Sequence, residues 1–378
     1  MHSSRVVQCS RMHRAASQMR LVQIGLGGWG LNWATEIVPQ VARATIVGCV
    51  FRDPDRVSDT RARWPDPNVP FFPSLEDAID ETKADGVLVL TTTDAHASLV
   101  NTALSLGCHV LVEKPFVPTL EEGRALAQLA CERGLILMVN QNFRFFPAAQ
   151  RAAQIVQRAE FGQLGSVAIR FNRCMAYPSP DRARRHQDMR QPMIMDLGIH
   201  HFDLMRMVIG TEPRSVYCTG WNVAGSAFRD PANATAILTF DNGVVVTWHA
   251  SWEGRGDQTT FSGEWSMQCE KATVAWACRG DRDVSLDGDR VHIVDADGAS
   301  CFETLPKPKL FGRAAILDAF VTAGTTGSTG PYFPDATDNL RSIGLMEAAL
   351  QSQATGTVVN LPPPGLRSPT KRNDGAAV

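Results

Sequence analysis

The sequence predicts an α/β protein of two domains: a doubly wound parallel sheet first, then an α+β domain built on an antiparallel or mixed sheet. Three observations carry this. Short apolar runs alternate with amphipathic stretches up to about residue 140; a glycine-rich turn follows the first of those runs; after it the runs become longer, partly alternating and joined by turn residues.

The apolar runs are "LVQIG" from Leu21, "TIVGCVF" from Thr45, "GVLVL" from Gly86, "HVLV" from His109 and "LILMV" from Leu135. Short strands that are apolar throughout belong to a parallel sheet covered on both faces, because helices on each side leave no face for water. The covering helices are read at "SLEDAIDET" and "TLEEGRALAQLACERG", with Ser74 and Thr119 as N-caps and Gly134 as a C-cap. Beyond residue 140, "QLGSVAIRFNRC", "TAILTFDNGVVVTWHASW" and "TTFSGEWSMQC" read as strands, and Asp241-Asn242-Gly243 as a hairpin turn. "MDLGIHHFDLMRMVIG" and "NLRSIGLMEAALQSQATG" read as helices, the second closed by Gly356. The expected domains are residues 19–140 and 141–361, with 1–18 and the Pro-rich, polar 362–378 disordered.

Composition bounds the function. The chain has 378 residues, 44% hydrophobic and 20% charged, with a net charge of −2 and a pI near 6.5. Such a balance gives no field that would draw it to nucleic acid or an anionic membrane, so a small ligand is expected. Nine cysteines without a C-x-x-C pair argue against a disulfide framework or a structural zinc site, and point to a reducing cytoplasm. No apolar run reaches the length of a membrane span. The opening 18 residues carry arginines but no apolar core of a secretory signal; a weak transit-peptide character and a start at Met19 both account for them.

The first strand runs into "GLGGWG", where Gly25, Gly27 and Gly30 fit G-x-G-x-x-G before a helix-like "LNWATEIVPQ". Backbone amides must approach a pyrophosphate closely at a helix N-terminus, and side chains on such a turn would block it. In this strand-to-helix context the turn marks a Rossmann dinucleotide-binding unit, and Gly25, Gly27, Gly28, Trp29 and Gly30 are its candidate cofactor contacts. The acidic residue expected about 20 positions on, for the ribose hydroxyls, is replaced by Phe51 and Arg52. Arg52 can meet a 2′-phosphate, which leans the NAD(P) assignment to NADP; the alternatives are an acid supplied by Asp53, or Arg52 as a solvated charge.

Ligands of open α/β sheets sit beyond the carboxyl ends of the strands, and Lys114 lies just past such an end in "HVLVEKPF". With six lysines against 31 arginines, lysine is not this chain's habitual cation. A desolvated lysine can share its proton with a hydroxyl becoming an alkoxide. In "DLGIHHFD", Asp196 and His200 fall on one helical face, with Asp203 continuing the stripe. His201 falls instead with Leu197, Leu204 and Val208, as a hydrogen-bonded core histidine would. A metal site from Asp196, His200 and Asp203 lacks a clear further ligand, so none is expected.

The glycine turn, "TTTDAHASLVNTALSLGCHVLVEKPF", "QNFRFFPAA" and "MDLGIHHFDLMRMVIG" together resemble the Gfo/Idh/MocA family of oxidoreductases, over roughly residues 19 to 361. The resemblance implies a Rossmann domain plus a C-terminal domain with a large, mostly antiparallel open sheet that supports the active site and often a homodimer or homotetramer. It implies Lys114, Asp196 and His200 as the catalytic set. Further cofactor candidates are Thr91, Thr92, His96, Glu113 and Lys114 itself, while Arg144 and His201 are candidates for the substrate pocket. The chain departs from the pattern at Thr92, where the family often has proline, and at "RQPMIM" in place of a glycine-rich run. His96 therefore reads equally as a histidine at a helix start, and Arg144 equally as a partner of a surface carboxylate.

The expected reaction moves a hydride between a hydroxyl-bearing carbon of a sugar or polyol and nicotinamide, with His200, near its natural pKa, as base, Lys114 on the oxygen and Asp196 orienting. Two other functions fit the same fold: a dinucleotide-binding sensor without turnover, and an NAD-dependent glycoside hydrolase.

Overall fold

The computed structural model describes residues 18–174, 180–281 and 284–362, so the disorder expected at both termini falls outside it, Gln18 and Pro362 excepted. Six strands, Met19–Ile24 (β1), Ala44–Val50 (β2), Phe71–Phe72 (β3), Gly86–Val89 (β4), His109–Val112 (β5) and Leu137–Val139 (β6), form a wholly parallel sheet in the order β3-β2-β1-β4-β5-β6. The two-residue β3 is too short to have a periodicity, and among the strands of this sheet it is the one absent from the expectation; in the second sheet, Pro213–Trp221 and the strands after Cys269 are absent from it too. Strand order reverses between β1 and β4, which is where such sheets open a crevice for ligands.

The helices in this half are Gly28–Asn32 (α1), Val57–Ala62 (α2), Leu75–Thr82 (α3), His96–Ser105 (α4) and Leu120–Arg133 (α5). Ser74 Oγ accepts from Asp77 N at 3.0 Å and Thr119 Oγ1 from Glu122 N at 3.4 Å, as N-caps do. Gly134 closes α5 at φ +63°.

The remaining strands are Leu164–Asn172 (β7), Pro213–Trp221 (β8), Asn233–Phe240 (β9), Val245–Ser251 (β10), Glu264–Cys269 (β11), Ala272–Ala277 (β12), Arg290–Asp295 (β13), Ser300–Phe302 (β14) and Val359–Asn360 (β15). They make one sheet in the order β14-β13-β12-β11-β7-β10-β9-β8-β15, antiparallel throughout except where β7 lies beside β10. In β10, Val246, Trp248 and Ala250 are buried while Val245, Thr247 and His249 between them are exposed, so one face packs and the other is open. The helices here are Pro147–Gln157 (α6), Pro180–Gln187 (α7), Ile199–Ile209 (α8), Gly312–Thr326 (α9) and Ala336–Thr355 (α10), and they include the last helix ending at Gly356.

Two features depart from the sequence reading. The stretch expected as one helix around Asp196 begins as a π-helical segment, Pro192–Gly198, and only then becomes α8. Secondly, α9 does not serve the second sheet: Ile316, Leu317, Phe320 and Val321 pack with Trp33, Ile37, Leu21 and Leu88 on the first. Arg43 Nη2 fixes it by donating to Asp318 Oδ1 at 2.8 Å and Thr322 Oγ1 at 2.7 Å. The last strand of the first sheet ends at Val139 and the second sheet opens at Leu164, while one face of the first is covered by chain from the far end. Among the described residues no helix is long and apolar enough to cross a membrane.

Candidate active site

The glycine turn lies at the carboxyl end of β1. Gly25 sits at φ +95°, and a Cβ there would be 2.4 Å from the backbone C and O of Leu90, at the end of β4. At Gly30 a Cβ would meet Gly25 O at 1.8 Å. These two glycines let strand, turn and helix close on one another. Gly27 and Gly28 face the opposite situation, since a Cβ at either meets nothing within 4 Å. Their backbone borders open space at the start of a helix, which fits the pyrophosphate of a dinucleotide. Thr91 and Thr92 follow β4 next to this turn, and Arg52 follows β2 and is exposed.

Behind the turn is a buried acid. Glu113 Oε1 accepts from Trp29 Nε1 at 2.6 Å, Asn140 Nδ2 at 2.8 Å and Trp33 Nε1 at 3.1 Å, and its Oε2 accepts from Lys114 N at 3.2 Å. Arg313, from α9, lies over the ring of Trp29 at 4.1 Å and of Trp33 at 5.5 Å, and donates to Asn32 Oδ1 at 2.6 Å. Glu113, a candidate cofactor contact, therefore joins the glycine turn to the turn after β5 through these four bonds.

Lys114 reaches across to the second half of the chain. Its Nζ donates to Asp196 Oδ1 at 2.6 Å and to Asp196 O at 2.7 Å. His186 Nε2, from α7, stands 3.6 Å from the other carboxylate oxygen, Oδ2. Burial works to raise the Asp196 pKa, yet the Lys114 ammonium and His186 outweigh it and hold the carboxyl well below the usual carboxylate range.

His200 is buried at the start of α8, stacked on Phe143 with centroids 4.2 Å apart and planes within 9°. Gln141 Oε1, at the end of β6, lies 3.1 Å from its Nδ1. With the amide oxygen turned toward it, Nδ1 carries the proton and Nε2 keeps its lone pair, an orientation that leaves the buried Gln141 Nε2 without a partner among the described residues. The expectation of an ordinary histidine pKa is corrected here. Burial first, then the charges of Lys114 and Arg279, push the imidazole well below its usual value. The ring is thus a neutral base near pH 7.

Three other candidate site residues make internal contacts. His96 is fully buried, with Nδ1 2.9 Å from Pro115 O and Nε2 3.2 Å from Thr91 O, so its ring lies against the turn after β5. His201 faces the second sheet: Trp248 Nε1 donates to its Nδ1 and its Nε2 donates to Phe261 O, both at 2.9 Å, which leaves neither nitrogen for substrate. Burial lowers its pKa to about 4. Arg144 Nε and Nη2 each lie 2.6 Å from the oxygens of Asp203, and Nη2 also reaches Asp338. Of its carboxylate partners Asp203 is buried and Asp338 half-buried, and Asp203 turns away from the site to pair with Arg144. The residues missed from sequence are Gln141, Phe143, Arg313 and His186; only Gln141, at the end of an apolar run, had a local signal.

Comparisons with known proteins give the family. Residues 19–141 match the family profile "Oxidoreductase family, NAD-binding Rossmann fold", and 149–275 match the "GFO/IDH/MocA C-terminal domain". A D-apiose dehydrogenase of Paraburkholderia graminis is 28% identical over 73% of each chain. A UDP-N-acetylglucosamine 3-dehydrogenase of Acidithiobacillus ferrooxidans is 31% identical over 62% of this chain and 67% of its own. Among solved structures, an oxidoreductase from Agrobacterium radiobacter, in complex with NAD+, L-tartaric acid and magnesium, superposes with a TM-score of 0.78 at 19% identity, covering 91% of this chain and 98% of that one. With its glycine turn, its lysine after β5 and both halves matched, the chain belongs to the Gfo/Idh/MocA family of oxidoreductases with an NAD-binding Rossmann fold.

Proposed function

We propose that the protein is an NAD(P)-dependent dehydrogenase or reductase acting at a hydroxyl-bearing carbon of a sugar or polyol. The observation that carries this is the meeting of Lys114 with Asp196, across the two halves of the chain, beside a buried neutral His200 and at the end of the sheet that holds the glycine turn.

Gly27, Gly28 and Trp29 hold the pyrophosphate end of the cofactor, and Thr91, Thr92 and Lys114 border the path toward its nicotinamide. When bound, the cofactor supplies the site that accepts or returns a hydride. The protein's own part is proton handling. His200 Nε2 takes the proton of the substrate hydroxyl, and Gln141 keeps that nitrogen unprotonated by holding the other. Lys114, with two of its three donors on Asp196, offers the third to the substrate oxygen and stabilises its developing charge.

Arg52 supports a lean to NADP. It is exposed beyond β2, no carboxylate stands at that strand end, and Asp53 uses its carboxylate to accept from Asp55 N at 3.0 Å. The open face of the second sheet, with Tyr217, Trp221, Ile237 and Val245 exposed on it, supports a homodimer or higher homo-oligomer.

The test is a panel of aldoses, cyclic polyols and nucleotide sugars with NAD+ and NADP+, followed by nicotinamide absorbance. Turnover by the wild type and a loss of about 10²- to 10⁴-fold in Lys114→Ala is the expected result. A Lys114→Ala enzyme of full activity, or cofactor binding with no turnover of any compound, overturns the assignment.

A further inference from the structure

We propose that His186 is a positioning residue of this site: by holding the outer carboxylate oxygen of Asp196 it fixes the direction in which Lys114 presents its remaining N–H. The proposal rests on the dehydrogenase reading for its catalytic consequence, and on geometry alone for the contact itself.

A lysine ammonium has three donors and no shape of its own. Lys114 commits two of them to Asp196, one to Oδ1 and one to the backbone oxygen. The backbone oxygen is fixed by the π-helical segment, but the carboxylate can turn about its last torsion, a broad and weakly restrained one. Any such turn carries Oδ1, and with it the ammonium. His186 stands where it would resist this, with Nε2 3.6 Å from Oδ2 on the side away from Lys114's oxygen.

The histidine is itself held. Its side chain is 12% exposed, and its ring packs edge-on against Phe228, at 5.5 Å and 80°, and Trp252, at 5.1 Å and 85°. Neither neighbour carries a charge. On its own helix, Arg184 lies 3.7 Å from Asp188 and Arg185 is exposed. Asp230, after Phe228, accepts from Gln191 N. Asp196, with Lys114 behind it, is a charge the ring meets. A buried histidine clamped between aromatic edges is a stiff support, and a stiff support is what an orienting carboxylate needs.

The test uses the full chain with NADP+ bound, as wild type, His186→Gln, His186→Ala and Asp196→Asn. Histidine rings labelled with ¹⁵N are observed by NMR at one fixed pH, and the His186 signal is identified by its loss in His186→Gln. Its Nε2 signal is expected to move in Asp196→Asn by more than that of His249, on the open face of the second sheet, because the contact with the carboxylate oxygen is lost. On any panel compound the wild type turns over, His186→Ala is expected to lower kcat by about 10- to 100-fold with KM changed less than about threefold, since a misdirected donor is felt in the transition state. His186→Gln, whose amide nitrogen reaches the place of Nε2, should recover most of it. A His186 ring signal unmoved by Asp196→Asn overturns the proposal, as does a His186→Ala enzyme with wild-type kcat. If the wild type turns over nothing, the dehydrogenase reading is what has failed, and the ring signal still decides the contact.

Discussion

Replacing Glu113 by glutamine separates two roles for a residue beside the catalytic lysine. If its side chain ties the glycine turn to the turn after β5, the variant loses stability; if it touches the cofactor, the variant loses affinity at unchanged stability. The carboxylate accepts three side-chain N–H groups at Oε1 and one backbone N–H at Oε2. A hydrogen bond to a charged group contributes about 1.5–3 kcal/mol, against about 0.5–1.5 for a neutral one. Weakening the three at Oε1 therefore costs about 3 kcal/mol. The amide cannot accept on both sides either: with its oxygen on the three donors, its NH₂ faces Lys114 N. Urea denaturation of both proteins without cofactor, then titration with NADPH followed by tryptophan fluorescence, measures the two effects. The expected result is a loss of about 3 kcal/mol of unfolding free energy, with weaker NADPH binding as its consequence. A variant as stable as wild type that binds NADPH at least tenfold more weakly would refute the structural role.

Three further outcomes are expected. Gly25→Ala should destabilise the fold, because its Cβ would press on Leu90 at 2.4 Å, whereas Gly27→Ala should unfold like wild type in thermal melts and lose NADPH affinity by isothermal titration. The acid limb of kcat/KM in the oxidation direction should lie below pH 6.5: a histidine whose folded pKa is depressed stays an unprotonated base until the pH falls through that lower value, and a limb at or above 6.5 would refute the state assigned to His200. Asp203→Asn, which leaves Arg144 buried without its bidentate partner, should cost about 3–5 kcal/mol of stability by urea denaturation without altering NADPH affinity in the folded protein.

The π-helical start of the Asp196 segment shows how sequence and structure divide the work at the site. A four-residue spacing places Asp196 and His200 near one another in any tight helical winding, so their association was legible. Asp203 was drawn into the same set by the same arithmetic, yet it faces Arg144 and Ser342 inside the protein. Periodicity says which residues share a face; it does not say what that face meets.

What the sequence determined by itself is local. Strand-length apolar runs, capping residues at Ser74, Thr119 and Gly134, and the glycine at position 30 act through neighbours a few residues away, and the structure keeps them all, whereas Gly25 makes room for Leu90 on another strand. Tertiary structure decided what depends on burial and on partners far along the chain. Glu113 meets Trp29, 84 residues away, Lys114 meets Asp196, 82 residues away, and α9 covers a sheet whose last strand ended long before it. His96, His201 and Arg144 each admitted a functional and a structural reading in the sequence because their types are chemically able, and their internal partners follow from burial, which requires every donor and acceptor to find one. Which of several able side chains keeps one of its groups unmatched, as Lys114 does with its third donor, is settled only when the whole fold has assigned the others.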